Sequence, residues 1–242
     1  IVPAEEVFHY RNKLEYSFTS TPGGPALGFH RAGRWDEVLE IERCWLTTDL
    51  GNAVRDAVRV WARSEGLEAY DQAEHTGYLR HLVLREGRNT GQMLVQLVTA
   101  EGQRFDPEEL VEVLRRFPEV RSIHWSVNDS PAEVTNLPTT LLWGEEAIEE
   151  ELCGLRFRVR PNAFLQTNTA MAERLYGLAG EYAALTGNET VYDLYCGIGT
   201  IGLTLAEKSL TVWGVEASEE SVACALENAD LNGITNAAFF AG

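Results

Sequence analysis

The sequence predicts an α+β unit over residues 1–159, followed by the first half of a doubly wound α/β unit over residues 160–242. Three observations carry this. Residues 1–159 hold many short alternating segments but only two runs at helical spacing. Residues 160–242 alternate helical and apolar runs in the order expected of parallel strands with crossover helices. A glycine-rich turn, Gly197-Ile198-Gly199-Thr200-Ile201-Gly202, joins the first of those strands to its helix.

In the first part, Tyr10, Asn12, Leu14, Tyr16 and Phe18 alternate with Arg11, Lys13, Glu15 and Ser17. This predicts a half-exposed strand whose outer edge begins basic. Pro22-Gly23-Gly24-Pro25 breaks it, and a second strand runs from Ala26 to His30. Arg31-Ala32-Gly33-Arg34 turns the chain into a third strand, Glu37 to Ile41. Leu50, Val54, Ala57, Val58, Trp61 and Ala62 recur at helical spacing and predict a helix from Asp49 to Ser64. Strands follow at 78–84 and 93–99, then a helix at 107–117 and a strand at 121–127. Asn128 to Pro138 is polar and turn-rich and reads as a surface loop. Glu145, Glu146, Glu149, Glu150 and Glu151 read as a solvated face, and Leu155 to Val159 as a strand.

In the second part, Met171, Leu175, Leu178, Ala179 and Tyr182 mark a helix. A strand at 190–194, the glycine turn, a helix to about Glu207 and a strand at 211–215 follow. Ser218 caps a helix that Asn232-Gly233 ends, and Ala237 to Ala241 forms a third strand. With these three strands alone, Thr190–Leu194 is expected to carry an open apolar edge that calls for a partner.

The glycine turn points to a nucleotide-type cofactor. Glycines let the backbone turn tightly and approach a ligand. Glu216 ends the second strand, where a carboxylate accepts hydrogen bonds from ribose hydroxyls. The spacing fits the dinucleotide fingerprint, so NAD stays open, as does a turn with no ligand. Two features favour S-adenosylmethionine. Asp193 sits just before the turn, where a pyrophosphate would be repelled. S-adenosylmethionine has no phosphate, and its sulfonium cation suits an acidic mouth.

Hydrophobic residues make up 45% of the 242, enough for two modest cores. No run of 18 apolar residues suggests a membrane span, and no signal peptide is visible, so a cytoplasmic protein is expected. Cys44, Cys153, Cys196 and Cys224 lack C-x-x-C spacing and fit reduced thiols. His9, His30, His75, His81 and His124 show no metal-ligand spacing. A net charge of −17 argues against non-specific nucleic-acid binding, because phosphate affinity comes from Lys and Arg. Arg11, Lys13, His30, Arg31 and Arg34 cluster near the N-terminus and offset this locally, and Arg11, Lys13, Arg31 and Arg34 form the edge expected to face a nucleic-acid substrate.

Four passages appear in a fixed order. They are Tyr10-Arg11-Asn12-Lys13 with Leu27-Gly28-Phe29-His30-Arg31 and Ile41-Glu42-Arg43-Cys44; Arg160-Pro161-Asn162-Ala163-Phe164-Leu165-Gln166-Thr167-Asn168, with Ala172, Glu173, Leu175 and Tyr176 following; Asp193-Leu194-Tyr195-Cys196-Gly197-Ile198-Gly199-Thr200; and Gly214-Val215-Glu216 with Asn228-Ala229 and Asn232-Gly233. Together they resemble the RNA uracil-5-methyltransferase family, and look closest to the branch that makes 5-methyluridine in 23S ribosomal RNA.

The resemblance implies a Rossmann-like S-adenosylmethionine-dependent methyltransferase domain at 160–242 and an RNA-facing α+β domain at 1–159. It implies that Gln166 contacts the methionine part of the cofactor, that Tyr195, Gly197, Gly199 and Thr200 line its pocket, and that Glu216 binds the ribose. Asp193 would order the glycine loop, and Cys196 would be a structural member of the turn. The implied partner is RNA, ribosomal ahead of transfer RNA, with no membrane and no DNA. Members of the family usually begin with an RNA-binding β-barrel and three cysteines of a 4Fe–4S cluster, neither of which precedes Ile1 here. Cys44 matches the fourth cluster cysteine, and one thiolate cannot hold such a cluster. The family mechanism adds a cysteine thiolate to carbon 6 of uracil, methylates carbon 5, and removes its proton with a carboxylate. Nucleophile and base are expected after Gly242, so no catalytic residue is assigned and the fragment is expected to be inactive. The alternatives are a non-catalytic module that binds S-adenosylmethionine or a protein, and an NAD-dependent oxidoreductase.

Overall fold

A computed structural model of the chain describes every residue except Gln103. The chain divides into two compact units. Phe8–Glu86 with Gln92–Glu146 form one, and Ile1–Val7, Gly87–Gly91 and Ala147–Gly242 form the other.

The first unit contains β1 (Lys13–Thr21), β2 (Gly24–His30), β3 (Val38–Glu40), α1 (Asp49–Ser64), β4 (Leu79–Glu86), β5 (Met93–Thr99), α2 (Pro107–Leu114), β6 (Val120–Val127) and β7 (Thr140–Gly144). The strands form one sheet in the order β3-β2-β1-β4-β5-β6-β7. All neighbours are antiparallel except β5 and β6, which are parallel and joined through α2. The alternation seen in the sequence places Leu14, Tyr16 and Phe18 of β1 in one core with Val54, Val58 and Trp61 of α1. Thr48 caps α1 by accepting from Gly51 N, and Asp49 and Arg63 sit at the ends that suit their charges. β1 starts at Lys13 rather than Tyr10, because His9 N and Arg11 N donate to Trp45 O and Leu46 O instead of joining the ladder.

The segment 128–138 is not the free loop its composition suggests. The buried Arg80 guanidinium donates to the carbonyls of Asn128, Ser130 and Ala132, and Gln96 Nε2 donates to Thr135 O. A buried cation demands such partners, and loop carbonyls supply them. The segment then leads into β7, a strand the sequence reading missed, which pairs with β6.

The second unit contains β8 (Ile148–Leu152), β9 (Leu155–Val159), α3 (Thr169–Ala183), β10 (Thr190–Leu194), α4 (Thr200–Ala206), β11 (Thr211–Glu216), α5 (Glu219–Leu231) and β12 (Ala237–Ala241). β10, β11 and β12 are parallel, in that order. Among the described residues β10 pairs only with β11, and Tyr192 and Leu194 are exposed. The long continuous stretch of this unit starts at Ala147, where the sequence reading placed the change at 160. The reason is that β9 pairs with β8 and is also bonded by α5 side chains: Arg156 N and Arg158 N donate to the Oδ1 atoms of Asn232 and Asn228.

The acidic patch is also not wholly a solvated face. The strand period puts Ile148, Glu150 and Leu152 on the inner side of β8, all buried. The Glu150 carboxylate accepts Arg88 N (2.8 Å), Asn89 N (2.9 Å), Glu151 N (3.0 Å) and Thr169 Oγ1 (3.0 Å).

Candidate cofactor site

The glycine turn is built by backbone geometry that few side chains tolerate. Tyr195 follows β10 with φ at +63°, and its N–H and that of Cys196 both donate to Val215 O of β11 (2.8 and 3.1 Å). A bulky residue is rarely held in this region, and here the two bonds to Val215 O fix it. Tyr195 is 90% exposed and plays no part in the core. Gly199 has φ at +83° and stands as the N-cap of α4, with Thr200 opening the helix. At Gly202 a Cβ would lie 2.9 Å from both Asp193 Oδ2 and Val212 Cγ1, so α4 can pack onto the strands only with glycine there.

Two carboxylates hold the turn. Asp193 Oδ2 accepts Gly202 N at 2.8 Å, which fits the role of ordering the loop. Burial raises its pKa, and that hydrogen bond opposes the rise. Glu216 ends β11; its Oε2 accepts Gly197 N (3.1 Å) and its Oε1 accepts Ser218 N (3.0 Å). Each oxygen keeps a second lone pair, so the carboxylate can also accept from hydroxyls of a bound ribose. The structure thus brings Glu216 to Gly197, and Asp193 to the far end of the same turn.

Gln166 lies between β9 and α3. Pro161, Ala163 and Leu165 are buried there, while Phe164 is exposed and Gln166 half-buried. Asn168 closes the segment by capping α3 through Met171 N. Cys196 is buried, and its thiol is pushed up to about 12 by burial and then by the charges of Asp193 and Glu216. A thiol held in that state is a poor nucleophile. Sequence reasoning gave no role to Tyr176 or Asn228, which bond to this turn. Neither carries a local signal of that role, because both bonds join residues distant in the chain.

In the other unit, Cys44 is buried and its backbone pairs with the Asn52 side chain. Among the described residues no group of three His, Cys, Asp or Glu side chains could hold a metal, so the residues present do not build a cluster site. The expected basic edge is largely paired with its own acids: Lys13 with Glu15 (2.6 Å), Arg31 with Glu37 (2.7 Å) and Arg34 with Asp36 (2.8 Å). A cleft of about 180 Å³ there is lined by Ser17, His30, Trp35, Tyr70 and Glu133 among others. His30 meets both Ser17 and Glu133 through the same Nε2, so the three cannot act as a proton relay.

Residues 141–241 match the family tRNA (uracil-5-)-methyltransferase. An uncharacterised RNA methyltransferase of Caldanaerobacter subterraneus subsp. tengcongensis is 38% identical over 98% of this chain and 54% of its own length. One from Enterococcus faecalis is 39% identical over 97% of this chain and 52% of its own. The crystal structure of Pyrococcus abyssi tRNA (uracil-54, C5)-methyltransferase with S-adenosyl-L-homocysteine superposes with a TM-score of 0.85 at 29% identity, over 100% of this chain and 57% of that one. These matches support the RNA uracil-5-methyltransferase family. The α/β fold is that of this S-adenosylmethionine-dependent methyltransferase structure. The chain spans about half the length of the curated relatives it matches. No helix among the described residues is long and apolar enough to cross a membrane.

Proposed function

We propose that the whole protein transfers a methyl group from S-adenosylmethionine to carbon 5 of a uridine in RNA, with 23S ribosomal RNA the first substrate to test. The observation that carries this is the turn at Tyr195–Thr200, clasped by Glu216 and Asp193, in a chain that superposes on a uracil methyltransferase with bound S-adenosylhomocysteine. S-adenosylmethionine supplies the methyl group. Glu216 accepts the ribose hydroxyls, Gln166 binds the methionine end, and the backbone at Gly197 and Gly199 lets the cofactor lie close. Tyr195, Thr200 and the exposed Phe164 flank it. Cys196 serves as a structural member of the turn, buried beside Asp193 and Glu216. The nucleophile and the base are assigned to parts of the whole protein that this chain, about half the length of its relatives, does not span.

The test is calorimetry on the full-length protein with S-adenosylhomocysteine and NADH side by side. S-adenosylhomocysteine should bind, and Glu216→Ala should weaken it by about 1.5–3 kcal/mol, the scale of a bond to a charged group. Binding of NADH alone would overturn the assignment. A tritium-transfer assay on unmodified ribosomal and transfer RNA then decides the substrate.

A further inference from the structure

We propose that Tyr176 and Asn228 are positioning residues that clamp the Gln166 segment to the glycine turn from both of its ends; this rests on the S-adenosylmethionine reading above. The segment from Arg160 to Asn168 has no regular structure, yet it must present Gln166 at a fixed place. Its start is tied to the turn through Asn228. That side chain is wholly buried on α5; its Nδ2 donates to Ile198 O at 3.1 Å and its Oδ1 accepts Arg158 N at 2.7 Å. One amide therefore joins β9 to the turn. The same helix grips the first residue of the segment, since Arg160 reaches Glu227 (2.9 Å) and the Cys224 Sγ (3.6 Å).

The end of the segment is tied through Tyr176. Asn168 caps α3, and Tyr176 on that helix places its hydroxyl 3.3 Å from Thr200 Oγ1. Ile198 and Thr200 stand on either side of Gly199, whose left-handed backbone shapes the turn. The strand before the Gln166 segment and the helix after it are thus both bonded to adjacent points of one turn. Pre-organisation of this kind spares a ligand the cost of ordering its own pocket.

Asn232 supplies the control. It lies one helical turn after Asn228 and bonds Arg156 in the same two-way manner, Arg156 N to Oδ1 at 2.9 Å and Nδ2 to Arg156 O at 2.7 Å. Its other bond goes to the helix carbonyl of Asn228. It holds β9 to α5 as Asn228 does, without the bond to Ile198.

The experiment measures S-adenosylhomocysteine affinity and melting temperature for full-length wild type, Tyr176→Phe, Asn228→Ala and Asn232→Ala, with KM for S-adenosylmethionine and for RNA. Tyr176→Phe and Asn228→Ala should each weaken the ligand about three- to tenfold, the span of one missing hydrogen bond. KM for S-adenosylmethionine should rise in parallel, with KM for RNA unchanged. Asn232→Ala should lower the melting temperature and leave affinity unchanged. The Tyr176→Phe/Asn228→Ala pair should be less than additive, because removing one clamp already frees the segment. Equal affinity losses in the Asn228 and Asn232 variants would overturn the proposal, as would unchanged affinity in Tyr176→Phe. That last variant removes one hydroxyl and decides the matter if Asn228→Ala does not fold. No binding by the wild type removes the cofactor reading and the clamps with it; wild-type binding with an unaffected Tyr176→Phe removes the clamps alone.

Discussion

Replacing Glu150 tests whether the acidic stretch on β8 is a solvated face or a structural anchor. Glu150 is 1% exposed and accepts from Arg88 N, Asn89 N, Glu151 N and Thr169 Oγ1. Glu150→Ala strips all of these donors of their acceptor. The backbone at Asn89 and Glu151 is near solvent and can find water, whereas Thr169 is buried and Arg88 half-buried. Removing a buried charge also returns some desolvation energy. Counting about 1–3 kcal/mol for each donor left dry, the net loss is about 2–4 kcal/mol. For a chain of this length that lowers the melting temperature by roughly 5–15 °C. Glu150→Gln keeps one acceptor oxygen and sets an amide N–H₂ against the Arg88 N–H, so about half the loss is expected. Burial raises the carboxyl above its ordinary value, against the pull of those hydrogen bonds. An acid raised on folding contributes most stability below the ordinary carboxylate value, and that contribution falls as pH rises through it to the folded value. Wild type should therefore lose stability relative to Glu150→Gln as pH climbs through this window. The assay is circular dichroism melting of this chain between pH 4 and 8. An alanine variant within about 0.5 kcal/mol of wild type, the range of ordinary surface changes, would refute the anchoring argument.

Two further outcomes follow from the site. Iodoacetamide should label the exposed Cys153 well before Cys196, whose thiol is buried and raised to about 12; equal rates, read by peptide mass spectrometry, would contradict the structural role given to Cys196. In the full-length protein, Arg31→Ala with Arg34→Ala should weaken RNA binding and lower the slope of log affinity against log salt by about one unit for each phosphate no longer neutralised. Because both arginines already pair with Glu37 and Asp36, an unchanged slope would mean that those internal pairs are their whole role.

The sequence by itself determined what depends on neighbours a few residues apart. The helix at Asp49–Ser64 and the strands at Met93–Thr99, Leu155–Val159 and Thr190–Leu194 fall where apolar periodicity puts them. Thr48, Asp106, Asn168 and Ser218 cap their helices through bonds to N–H groups two or three residues on, a purely local chemistry. The glycine turn was legible for the same reason, since its spacing alone encodes the bend after β10. Tertiary structure decided everything that rests on a distant partner. Five glutamates in a short stretch look solvated until Arg88, Asn89 and Thr169 are seen to enclose one of them. The 128–138 segment reads as a loop until the Arg80 guanidinium, buried some fifty positions away, requires its carbonyls. Asn228 and Tyr176 carry no local signature of a cofactor site; their bonds to Ile198 and Thr200 cross 30 and 24 residues of chain. A buried polar group must be satisfied by whatever the fold brings to it, and composition and period do not say what that will be.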